Sequence, residues 1–279
     1  MKTIIVATDY SHAALNAANY ATEMALVINA NILLLHVYSL PAGYSGEPLT
    51  VNVKNVRQMA DNTMNELKDQ LIKKAGGKIS IETKIRLGTF FQELQTVCEY
   101  VHPYVVVIGT QGSTATGRVL FGGHAVYAMK HLMWPIITVP QNALFSNVKK
   151  IGLACDFDGV LDTTPVDEIK LLVNDFNAEL HVLNTGKKDE LDPRVVFESG
   201  LLNELIGSLK PNYHFITNNN TDESIMEFAE QHHIDLLIVL PKRHGLMEML
   251  IHRSHTKNLV LHSHVPVMAL HQQAVHSEN

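Results

Sequence analysis

The chain has 279 residues, 46% of them hydrophobic, which suits one or two globular domains with full cores. Its formal net charge of −6 comes with no basic block, so nucleic acid is excluded as an expected partner. No apolar run approaches the roughly 20 residues that cross a bilayer, so no membrane contact is expected. The N-terminal MKTIIVATDYS turns polar too soon for a signal peptide, and Cys98 and Cys155 form no disulfide framework. A cytoplasmic protein with two ordinary thiols is expected.

Lys2 to Thr8 is a β-branched run that suits a strand buried on both faces, as in a parallel sheet. Ser11 is placed to cap a helix over Ala13–Val27. Asn31–Tyr38 reads as a second buried strand, residues 39–55 as a loop, and Val56–Ala75 as a helix stopped by Gly76-Gly77. Lys78–Leu87 alternates as a strand, Thr89–Tyr100 is a short amphipathic helix, and Val105–Ile108 is another buried strand. A glycine-rich loop carrying Gly109, Gly112 and Gly117 follows, then Gly122-Gly123, a helical pattern, and the strand Ile136–Val139 after Pro135. Strands alternating with helices predict an α/β fold with a parallel, doubly wound sheet. Such sheets bind ligands at the carboxyl ends of their strands, where Asp9, Val37 and Gly109 lie.

From residue 149 the pattern starts again. KKIGLACDF parallels the N-terminus and places Asp156 opposite Asp9. ELHVLN parallels LLHVYS, so His181-Val182 are matched with His36-Val37. His255, His262 and Pro266 answer His124, His131 and Pro135. The offset falls from 147 to 131, so the second copy is shorter by 16 residues. Self-similarity on this scale predicts two tandem Rossmann-like domains, 1–144 and 145–279, divided near Gln141–Val148. The copies differ chemically: Leu240, Arg243, Arg253 and Ser254 stand where the first has Gly109, Gly112, Gly122 and Gly123. Only the first keeps a loop that lets backbone N–H groups approach a phosphate closely.

Gly109-Thr110-Gln111-Gly112, nine further residues and then Gly122 reproduce the spacing of a known nucleotide-binding signature, G-x-x-G, nine residues, G-[ST]. Ala7-Thr8-Asp9 matches the small residue, Thr and Asp that end the first strand in the same family. On these residues and the two-copy layout, the chain resembles a tandem universal stress protein. It departs from the signature at Gly123, where a hydroxyl residue is usual. The resemblance implies a stress-response protein that holds ATP with Mg²⁺ in its N-terminal domain. Ala7, Thr8 and Asp9 would surround adenosine and metal, with Asp9 meeting the nucleotide-bound Mg²⁺. Val37 would contact adenine through its backbone. Ile108, Gly109, Gly112, Gly122, Gly123 and His124 would line ribose and phosphates. The C-terminal domain would serve docking or dimerisation, with an unknown protein partner.

Other readings stand beside this one. The alternative for the glycine series is a surface loop kept after binding was lost, giving a nucleotide-free interaction scaffold. The alternative for Asp9 is a carboxylate that caps the next turn. The histidines at 244, 252, 255, 262, 264, 271 and 276 suggest a metal-binding sensor, although polar surface and helix caps explain them without metal. His36 and His181 fit buried, hydrogen-bonded structural roles. Asp156 and Asp158 resemble a phosphatase motif, but the repeat already accounts for Asp156. No Walker loop, nucleophile elbow or acid–base pair is found, so no enzyme is expected beyond slow ATP hydrolysis. The closing strands, Ile136–Val139 and Val267–Leu270, are expected to pair with each other within the chain as a pseudo-dimer or across a homodimer.

Overall fold

In the computed structural model, residues 1–39, 53–110, 120–184, 193–216, 221–241 and 255–272 are described. The first half contains β1 (Thr3–Ala7), α1 (His12–Ile28), β2 (Asn31–Tyr38), α2 (Val53–Ala75), β3 (Ile81–Leu87), α3 (Phe90–Val101), β4 (Val105–Thr110), α4 (Leu120–His131) and β5 (Ile136–Pro140). The second contains β6 (Lys150–Cys155), α5 (Val160–Thr163), α6 (Val166–Phe176), β7 (Glu179–Asn184), α7 (Pro193–Ile206), β8 (Asn212–Phe215), α8 (Thr221–Gln231), β9 (Leu236–Val239), α9 (His255–His262) and β10 (Val267–Ala269).

The strands form one sheet in the order β3-β2-β1-β4-β5-β10-β9-β6-β7-β8. Every neighbouring pair is parallel except the central one, where Ile136, Ile137 and Thr138 of β5 face Ala269, Met268 and Val267 of β10. The two closing strands therefore pair within the chain, which removes two apolar edges from solvent. An apolar layer lies on each face, and both continue across the centre. One joins Ile4, Val6, Met24 and Leu34 to Leu153, Val182 and Ile238; the other joins Ile5, Leu35, Val97 and Met129 to Leu237 and Leu259. Each such side chain contributes about 1.5–3 kcal/mol by leaving water.

Polar contacts also cross between the halves. Lys2 pairs with Asp175 of α6, and the Tyr104 hydroxyl donates to the same carboxylate at 2.8 Å. Burial, then that hydrogen bond and charge, push the Tyr104 phenol above its ordinary pKa. His271 places Nε2 3.0 Å from the Met129 carbonyl of α4. It is 6% exposed, so it is no surface histidine.

Local signals explain the element ends. Ser11 Oγ accepts the Ala14 N–H at the start of α1. Gly76 and Gly77, at φ of 59° and 71°, end α2. In the second half, Pro165 separates α5 from α6 where the first has the continuous, 17-residue α1.

Backbone bonds define the repeat and correct one pairing. Asn31 N–H donates to Lys2 O at 2.9 Å, and Glu179 N–H to Lys149 O at 2.8 Å. Thr3 faces Asn31 and Lys150 faces Glu179, so Asn184 stands where the first half has His36, and His181 where it has Leu33. His36 Nδ1 meets Thr8 O at 2.8 Å, and Asn184 Nδ2 meets Cys155 O at 3.4 Å. The matching His-Val letters are misaligned by three residues, an odd shift that turns His181 to the opposite face.

Candidate functional site

The carboxyl ends of β1, β2 and β4 form one rim, because Ala7 pairs with both Leu35 and Ile108. Ala7 and Ile108 are buried, and Gly109 faces Val139 of β5. Val37 sits one residue beyond His36, half-buried, with its side chain against the α3/α4 layer.

Thr8 is consumed by the fold. Its N–H donates to Leu35 O at 2.9 Å, its Oγ1 accepts the Tyr10 N–H at 3.0 Å, and its carbonyl accepts His36 Nδ1–H. Asp9 is half consumed. Its Oδ1 accepts the Ser11 N–H at 3.0 Å and the Ser11 hydroxyl at 2.6 Å, while Oδ2 has no hydrogen-bond partner among the described residues. Asp9 thus both caps the turn and offers one free carboxylate oxygen at the rim.

Tyr10 lies in the left-handed region at φ 64°, which costs a bulky residue about 1–3 kcal/mol. Its hydroxyl donates to Ala60 O at 3.1 Å, and its ring lies 4.5 Å from that of His36. The turn recurs in the second half: Phe157 has φ 52°, and Asp156 Oδ1 accepts the Asp158 N–H at 3.3 Å. Tyr10 and His36 are absent from the sequence-derived set of binding residues. The sequence signal for Tyr10 is an aromatic directly after each strand-end Asp, at Tyr10 and Phe157.

The glycines divide by role. A Cβ on Gly109 would lie 2.3 Å from Ala13 O and 2.4 Å from Ala13 C, so α1 seats on β4 only because this residue is glycine. That requirement exists without any ligand. Gly112 lies outside the described residues. Gly122 and Gly123 belong to the first turn of α4, whose N–H groups have no intrahelical partners. A Cβ on Gly123 would meet nothing within 4 Å. His124 follows, exposed, with its ring 5.4 Å from that of Phe90 at the start of α3.

The residues present fit an anion with a cation. Asp9 Oδ2 is available for a cation or hydroxyl, and the first turn of α4 suits phosphate. Leu240 is the second half's counterpart of Gly109, and Arg243, Arg253 and Ser254 lie outside the described residues.

Among the described residues, no group of three or more His, Cys, Asp or Glu is arranged to hold a metal. His244, His252 and His276 lie outside them. His262 ends α9, so His262 and His264 share no strand face. No helix among the described residues is long and apolar enough to cross a membrane.

The model of the universal stress protein family matches residues 1–140 and 201–271. Universal stress protein Slr1230 from Synechocystis is 22% identical over 295 residues, covering 96% of this chain and 99% of its own. A crystal structure of a universal stress protein from Archaeoglobus fulgidus superposes with a TM-score of 0.73 at 17% identity. It covers 97% of this chain and 98% of that one. A family structure from Arabidopsis thaliana with AMP bound aligns with 51% of this chain and 94% of its own, at 20% identity and a TM-score of 0.36; its ligand is a fact about that protein alone. Two tandem α/β halves in one mostly parallel sheet, with the family match in both, lead to one statement: this chain belongs to the universal stress protein family.

Proposed function

We propose that the chain is a stress-response protein that binds an adenine nucleotide, ATP with Mg²⁺, at the rim of its first half. The observation that carries this reading is the pairing of Ala7 with both Leu35 and Ile108. It brings Asp9, whose Oδ2 has no hydrogen-bond partner among the described residues, to the rim at which β4 ends, ahead of the glycine-started α4. In this reading Val37 meets adenine, Asp9 meets Mg²⁺ or ribose, and Gly122, Gly123 and His124 meet phosphates together with Gly112. Binding rather than turnover is the output in this reading: the carboxylate–hydroxyl contact at the rim, Asp9 Oδ1 with Ser11, serves the turn that starts α1. The second half serves docking or dimerisation, and the compartment is the cytoplasm.

A second reading, a nucleotide-free scaffold, is favoured by Gly109 and Thr8. Both are required by packing and hydrogen bonding alone, so neither needs a ligand to explain it.

Thermal unfolding with Mg-ATP separates the two. A ligand at 100 times its Kd adds about 2.7 kcal/mol of stability. Wild type is expected to be stabilised, and Gly123→Asp, whose Cβ would meet nothing within 4 Å, to fold normally without that gain. No shift in wild type at millimolar Mg-ATP selects the scaffold.

A further inference from the structure

Three imidazoles meet at the outer end of the second half, where β7, β8 and α8 pack. His181 of β7 is 7% exposed. Its Nδ1 lies 3.0 Å from Nε2 of His214 on β8, and the two rings stack at 5.2 Å and 16°. Phe228 of α8 packs on His214 at 4.7 Å and stacks on the exposed His232 at 3.9 Å. His232 lies 5.8 Å from His214. The charged groups facing the cluster are Lys150 of β6, whose Nζ donates to the His232 carbonyl at 3.1 Å, and the exposed Glu179 of β7. Glu179 Oε2 stands 3.6 Å from His181 Nε2, too far for a hydrogen bond, and that nitrogen is buried without a hydrogen-bond partner among the described residues.

The first half has the same positions and fills them differently. Strand register places Leu33 at the position of His181 and Lys84 at that of His214. Tyr104 N–H donates to Thr3 O as Asp235 N–H donates to Lys150 O, which places Val101 at His232 and Val97 at Phe228. Imidazoles thus replace Leu, Val and Lys around one aromatic ring in the second half only.

The pair has a defined response to protons. With both rings neutral, one facing N–H donates to the other's lone pair. One added proton leaves an imidazolium donating to a neutral ring. A second puts N–H on both facing nitrogens and two positive charges in stacked rings, with Lys150 nearby. The hydrogen bond is lost, and among the described residues exposed Glu179 is the acidic group that offsets the charge.

We propose that His181, His214 and His232 form a proton-operated latch, which holds the β8–α8 edge closed at neutral pH and releases it on acidification. The latch is independent of whether the first half binds nucleotide. Burial lowers the His181 pKa below the usual 6.5; Glu179 opposes this, while Lys150 and His232 add to it. Burial, then His181 and His232, lower that of His214. The released edge therefore binds more protons than the closed one below about pH 6.5. The closed state is fully stable above that value and loses stability as pH falls through it. Each histidine takes up at most one proton, so the His181–His214 pair can change the opening equilibrium by up to about 100-fold per pH unit.

Hydrogen exchange on the full chain at pH 7.5 and 5.5, corrected for intrinsic rates, tests this. Peptides covering 212–232 are expected to lose at least tenfold in protection at pH 5.5, while peptides covering 81–101 hold theirs. His181→Leu, which installs the first half's own residue, is expected to keep protection at both pH values. If His181→Leu fails to fold, His214→Gln serves in its place, with the same loss of pH dependence expected. Equal loss in both halves, no loss in wild type, or unchanged pH dependence in a folded variant overturns the latch.

Discussion

Replacing Gly109 by Ala tests how the rim is assembled. The added Cβ would sit 2.3 Å from Ala13 O and 2.8 Å from Ala14 N, both backbone atoms of the first turn of α1. Ordinary carbon contacts begin near 3.5 Å, so α1 has to withdraw by about 1 Å. No rotamer change relieves the contact, because a methyl group meets main chain on a helix whose Ala17, Ala18 and Ala21 are fully buried. Overpacking of this kind costs about 1–3 kcal/mol, and the rigid partner argues for the upper end. With a urea slope of about 3 kcal/mol per molar, the midpoint falls by about 1 M. Gly123→Ala is the control: its Cβ meets nothing within 4 Å, and relief of a helical glycine adds about 0.5–1 kcal/mol. Urea unfolding followed by circular dichroism reads both. A Gly109→Ala midpoint equal to wild type would refute the seating of α1 on β4.

Gly123→Ser restores the hydroxyl of the family signature. A hydrogen bond to a charged group is worth about 1.5–3 kcal/mol, so Mg-ATP should bind roughly tenfold tighter or better by calorimetry. Unchanged affinity in the folded variant would mean that position 123 does not meet phosphate. Ile137→Asp combined with Met268→Asp places two carboxylates face to face in the central strand pair, where both residues are at most 1% exposed. Unpaired buried charge costs several kcal/mol, so small-angle scattering should show the halves separating or the chain expanding. An unchanged scattering profile would contradict the intrachain pairing. Burial, with Glu99 adding to it, pushes the Cys98 thiol up to about 12, so the reactive thiolate is scarce below that pH. Iodoacetamide at pH 8 should label Cys98 only in denaturant, and labelling of the native protein would place the thiol at the surface.

Much of the fold is legible in local pattern. The run Lys2–Thr8 predicts a strand buried on both faces, and β1 has parallel neighbours on both sides. Ser11 and Gly76-Gly77 mark helix ends that depend only on nearby backbone, and they occur where that chemistry requires. The repeat predicts the pairing of β5 with β10, because each half leaves an apolar closing strand that needs a partner. Letter matching fails at His181, since identity carries no register, and an odd slip exchanges the two faces of a strand. The histidine cluster is hidden for a related reason: positions 181, 214 and 232 meet only through strand order and helix packing. At the rim, Gly109 illustrates a real ambiguity of sequence reading. A glycine that admits a phosphate and one that admits a helix look alike, and only the approach of Ala13 separates them. Thr8 and the Oδ1 atom of Asp9 show the same thing, being spent on the turn before any ligand arrives.

Titration calorimetry of Mg-ATP into the full chain tests the central claim most directly, because stoichiometry reports which halves bind. The glycine-started α4 follows β4 in the first half alone, whereas the second carries Leu240 at the position of Gly109. One nucleotide per chain is the predicted result. Two per chain, or none at millimolar nucleotide, would contradict it.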